Sequence, residues 1–103
     1  MARSYSEKFL LALQKADSAS LGVKLGRLCV EANLPSAYVA RALEVSRVTM
    51  YKWFRGQGIR EDKRRTVEVF IDLVSEDMKQ GLLPATTMFS AKLYIENMIG
   101  EKI

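Results

Sequence analysis

The chain has 103 residues, about half of them apolar, with a formal net charge of +4, one cysteine and no histidine. That length and composition suit one folded domain spanning residues 1–103, not a disordered chain or a pair of domains. A single cysteine excludes an intrachain disulfide and points to a reducing compartment. Without histidine, neither an ordinary structural zinc site nor a Ser-His-Asp or Cys-His catalytic arrangement can be assembled.

The periodicity is helical throughout, so an all-α bundle of five or six helices is expected. "SYSEKFLLALQKA" opens with Ser4 three residues before Glu7, a capping-box spacing. Phe9, Leu10, Leu13 and either Ala12 or Ala16 then share one side, and "DSAS" breaks the pattern. "LGVKLGRLCVEA" follows, with Leu21, Leu25, Leu28, Cys29 and Ala32 forming a buried stripe. Cys29 on that stripe reads as a small core residue. The "NLP" segment interrupts, because the residue before Pro35 is pushed away from helical geometry.

"SAYVARAL" is a short helix with Val39, Ala40 and Leu43 on its inner face, and "EVS" is a turn. Ser46 is a good N-cap for the helix "RVTMYKWFR", where Met50 and Trp53 face inward with Phe54 beside them. Trp53 could stack on a base, but its spacing from Met50 reads as core. Gly56 and Gly58 release the chain. A longer helix over 61–80 carries Val67, Phe70, Ile71, Val74 and Met78 as its stripe, with acids at its start and Lys79 at its end, as the helix dipole favours. The last helix lies within 85–99, and its Phe89, Leu93, Met98 and Ile99 face either inward or toward a partner.

Charge is unevenly distributed. Between positions 35 and 66 there are eight basic residues and three acids, whereas from 67 to 103 there are three basic residues and six acids. A positive centre of this kind suits an anionic polymer as partner. It coincides with two short helices joined by a tight turn, residues 36–55, which is what a helix-turn-helix requires. There Ala40 supplies the small residue at the helix crossing, and Val39, Leu43 and Val45 fill the wedge. Arg47, Val48, Tyr51, Lys52 and Arg55 remain for the outer face of the second helix.

The stretch "LGVKLGRLCVEANLPSAYVARALEVSRVTMYKWFRGQ" resembles the phage-repressor and Cro-type (lambda repressor-like) helix-turn-helix family. The resemblance lies in the Leu-x-x-Leu first helix, Ala40 before Leu43, the Val45-Ser46 turn, the Thr49-Met50 pair, Trp53 and the Arg-Gly ending. It implies a compact all-helical DNA-binding domain whose recognition helix is 46–55, with its first residues at base edges. Carried onto matching positions, Arg47, Val48 and Lys52 face bases and Ser36 faces a phosphate. Three departures stand out, one being that the segment "IREDKRRTVEVFIDLVSEDMKQG" is longer and more basic at its start than the family's fourth helix, so no family contacts are carried beyond residue 60. Glu44 occupies a turn position where the family prefers Gly, so it must adopt an unfavourable backbone or the turn must differ. Ser36 stands where Gln is common.

The same expectation follows from side-chain chemistry. Arg47 can donate two bonds to guanine, Lys52 can do so more loosely, and Val48 can touch a thymine methyl. Ser46 lies at the start of the same helix. Tyr51 can donate to a phosphate, and Arg55 and Arg60 can neutralise phosphates. The cluster Lys63, Arg64 and Arg65 is either a solvated helix start or a site for phosphate or RNA, attracting the backbone through counterion release. Arg47 and Lys52 have the same bland alternative of a solvated face.

The reading is thus a sequence-specific transcriptional regulator acting on duplex DNA as a homodimer or larger assembly through the C-terminal helices. The surplus of apolar residues among Leu82, Leu83, Phe89, Tyr94, Ile95 and Met98 could equally close the domain's own core. The competing reading is an assembly or adaptor protein that uses the same motif to bind DNA without sequence readout, or to bind protein only. No nucleophile–base pair is visible, so an enzyme is not expected, and no cofactor, metal or small-molecule ligand is inferred. No apolar run approaches the ~18 residues of a membrane span and no signal-peptide pattern opens the chain, so a cytoplasmic location is expected.

Overall fold

Four of the helices end in the same way, and those endings shape the molecule. The computed structural model describes residues 5–16 and 19–103. Among them are six helices: α1 (Glu7–Lys15), α2 (Leu21–Glu31), α3 (Ser36–Leu43), α4 (Arg47–Phe54), α5 (Glu61–Lys79) and α6 (Met88–Ile99). After α2, α3, α4 and α5 the chain passes through one residue of positive φ, at Asn33, Glu44, Gly56 and Gly81. In each case the next amide bonds back five residues, as in Val45 N–H to the Ala40 carbonyl at 3.0 Å and Gln57 N–H to the Lys52 carbonyl at 3.1 Å. This is the Schellman ending, which satisfies orphan carbonyls provided one residue is left-handed.

Glycine and asparagine tolerate that conformation; Glu44, at φ 58° and ψ 43°, does not. Of the two outcomes expected for the turn, the unfavourable backbone at Glu44 is the one observed. Glu44→Gly should therefore gain about 0.5–1 kcal/mol, because the relief of strain exceeds the extra chain entropy of glycine. A rise of about 3–5 °C in the thermal midpoint is the expected readout.

The N-termini are capped by side chains. Ser6 caps α1, its Oγ accepting from the Phe9 amide at 3.2 Å; the expected Ser4–Glu7 capping box involves Ser4, which lies outside the described residues. Ser46 caps α4 through the Thr49 amide at 3.1 Å, as its hydroxyl and position require. Thr87 and Ser90 form a reciprocal capping box at α6.

Helix α2 is the organising element. It packs against α1, α4 and α5, while α6 packs against α3. Leu25, Cys29, Leu34, Val39, Leu43, Met50, Phe54, Val67, Val74 and Ile95 are each almost completely removed from water. A radius of gyration of 12.7 Å is that of one core formed by about this many residues.

Helices α2 and α4 approach closely. A Cβ built on Gly22 falls 2.3 Å from the Trp53 carbonyl oxygen, and one on Gly26 lies 3.0 Å from the Phe54 ring. The two glycines are one turn apart, so they form a groove on α2 into which α4 settles. Ala40 is buried as expected, and this glycine pair adds a second close crossing, of α2 with α4.

In α6 the core positions are Ala91 and Ile95, with Met98 and Ile99 half-buried beside them. Phe89 and Leu93, one turn apart on the opposite side, are 68% and 42% exposed. Small Ala91 lets α6 lie close to α3, and that contact fixes which side of the helix faces in. Among the described residues, no helix is long and apolar enough to cross a membrane.

Candidate nucleic-acid interface

Helix α4 has two sides of opposite character. Met50, Trp53 and Phe54 are at most 4% exposed and hold it against α2 and α3. Arg47, Val48, Lys52 and Arg55 point into solvent, Val48 with 66% of its surface exposed. Among the described residues, no ion pair or side-chain hydrogen bond engages Arg47, Lys52 or Arg55. Arg47, Val48, Tyr51 and Arg55 line a shallow open depression on this face. Ser46 is exposed at its start, but its hydroxyl is occupied: it accepts from the Thr49 amide and donates to Thr49 Oγ1 at 3.0 Å.

Tyr51 sits between the two sides. Its ring meets Phe9 edge-on at 5.3 Å and Phe54 edge-on at 5.6 Å. Phe9 in turn stacks on Tyr5 at 5.5 Å, and the Tyr5 hydroxyl donates to the Leu34 carbonyl at 2.8 Å. The Phe9 ring of α1 therefore reaches Tyr51 on α4.

Ser36 requires a correction. The resemblance has it facing a phosphate, but it is only 4% exposed and its Oγ lies 2.9 Å from Tyr51 Oη. The shorter side chain, compared with the Gln common there, cannot reach past its own helix to the surface. Lys63 requires one too. Its Nζ donates to the Leu43 carbonyl at 3.0 Å, closing the C-terminus of α3 across 20 residues of sequence. There the charge complements the helix dipole and satisfies a carbonyl left over by the Schellman turn. Lys63→Met should cost about 1 kcal/mol of stability. It should leave the salt dependence of any DNA affinity unchanged, which separates a cap from a phosphate contact.

Arg60 is exposed and pairs with exposed Asp62 at 3.5 Å, a contact that contributes little and exchanges readily. Arg64 and Arg65 are exposed. Arg64 lines a polar cleft with Ser20 and Lys24 of the α2 start and the loop Gly56–Gln57–Gly58. Lys24 is not a sequence-level candidate, since it lies far from the basic centre and only folding brings it beside Arg64.

Of the displaced titrating groups, Tyr5 lies behind this face, next to Phe9. Burial pushes the thiol of Cys29, which is 0% exposed, and the hydroxyl of Tyr5 strongly upward. Burial, then the hydrogen bond to Asp77 at 2.5 Å, does the same for Tyr94. All three stay protonated near neutral pH. No protein-family model, curated protein or solved structure matches the chain.

Proposed function

We propose that the protein binds duplex DNA as a sequence-specific transcriptional regulator of the phage-repressor type, with α4 lying in the major groove. The observation that carries this is the division of α4: three large side chains clamp it from beneath, and Arg47, Val48, Lys52 and Arg55 are left outward together. A rigid helix with exposed donors and one apolar contact has the chemistry needed to read base edges. The basic residues Arg60, Arg64 and Arg65 add attraction for the backbone.

Exposed Phe89 and Leu93 on α6, with Leu82 65% exposed just before it, support pairing of two copies through the C-terminal helices. Two such copies would read half-sites about one helical turn apart, ~34 Å. Selection of bound duplexes from a random pool tests the reading. Enriched inverted repeats are expected. A pool that binds without enrichment would replace it with the DNA-binding assembly or adaptor reading, and a protein that retains no duplex at low salt would leave an adaptor that binds protein only.

A further inference from the structure

We propose that Ser36 is a positioning residue: it donates its hydroxyl hydrogen to Tyr51 Oη and thereby turns the Tyr51 O–H outward, as a neutral donor to a backbone phosphate oxygen. This rests on the DNA-binding reading above. The two oxygens are 2.9 Å apart, and by distance alone either could be the donor. Burial decides between them. Ser36 is 4% exposed, and among the described residues its hydroxyl has Tyr51 as its one side-chain partner.

If Tyr51 donated, the serine hydrogen would be buried without an acceptor, and an orphaned buried donor is costly. If Ser36 donates, the remaining hydrogen is that of Tyr51, which is half-buried and borders the depression lined by Arg47, Val48 and Arg55. Water satisfies it in the free protein, and a phosphate can replace that water.

The tyrosine ring is already immobilised. Phe9 and Phe54 meet it edge-on at 5.3 and 5.6 Å, and Phe9 is itself held by Tyr5. Little side-chain entropy remains to be lost when the hydroxyl meets its acceptor. A hydrogen bond received from Ser36 also polarises the tyrosine O–H and strengthens it as a donor. The donor is uncharged, so its contribution should persist as salt rises, unlike that of its arginine neighbours.

The test is fluorescence titration of a short labelled duplex across a salt series. The proteins are the full chain and Tyr51→Phe, Ser36→Ala, Ser36→Thr, Arg55→Ala and the Ser36→Ala/Tyr51→Phe double variant. The double variant removes both polar groups while keeping their shape, so it folds even where one single variant is weakened by an orphaned partner. Tyr51→Phe is expected to bind about 10-fold more weakly at every salt concentration, with the salt slope unchanged. Ser36→Ala should lose a similar factor, the double variant no more than either single one, and Ser36→Thr should recover most of it. Arg55→Ala should instead flatten the slope. Full-strength binding by Tyr51→Phe, or a double variant whose loss is the product of the singles, would overturn the assignment while leaving the DNA reading intact. A wild-type chain that binds no duplex would overturn both.

Discussion

Gly22→Ala is expected to cost about 3 kcal/mol or more and to lower the thermal midpoint by about 12–20 °C. The added methyl would lie 2.3 Å from the Trp53 carbonyl oxygen, 2.7 Å from its carbon and 2.8 Å from the Trp53 Cβ. None of these atoms belongs to the flexible end of a side chain, so no rotamer change relieves the clash. Helices α2 and α4 must move apart, and Phe54 and Trp53 then lose contact with the core. A domain of this size has only about 5–15 kcal/mol in total, so the loss is a large fraction. Gly58→Ala is the control, because a Cβ there meets nothing within 4 Å; it should melt with the wild type or slightly above it. Thermal melts followed by circular dichroism decide the matter. A Gly22→Ala protein that melts with the wild type would mean that α4 does not sit in the groove described.

Arg47→Ala and Lys52→Ala carry the second large effect, on function instead of stability. Both side chains are exposed and neither forms an ion pair among the described residues, so their removal should leave the fold unchanged. If α4 reads bases, each substitution should cost about 1–3 kcal/mol at its own base position, roughly 5- to 150-fold, and relax preference there. A residue that meets phosphate instead would weaken all sequences alike and reduce the salt slope by about one. Site selection repeated with each variant separates the cases. Unaltered site preference in both variants would remove α4 as the reading helix, and with it the regulator proposal.

Where one helix accounts for its own residues, the sequence was enough to read them. Ser46 begins α4 because a serine hydroxyl can bond the Thr49 amide three residues on. Met50 and Trp53 are buried because three residues bring a side chain back to the same face. The strain at Glu44 was also legible, since the turn position requires a left-handed backbone whatever residue occupies it. The C-terminal helix was less so. Phe89 and Leu93 satisfy a helical period as well as Ala91 and Ile95 do, and only packing against α3 chose between the two sides.

The candidate site divides in the same way. The residues exposed along α4 were readable, because everything that turns them outward lies within ten residues. The destinations of Ser36, Lys63 and Lys24 were not. Ser36 meets Tyr51 across 15 positions and Lys63 meets Leu43 across 20, whereas Lys24 comes beside Arg64 only after α2 and α5 have packed. By itself, then, the sequence of this protein determined its helices, their caps, the inner face of α4 and the basic character of its middle. Those properties come from bonds and periods that close within one or two turns. The tertiary structure decided which polar groups are occupied and how near two helices may come. A lysine or serine has the same local chemistry whether it faces solvent or a carbonyl, and a glycine shows its purpose only when another backbone lies where its side chain would have been.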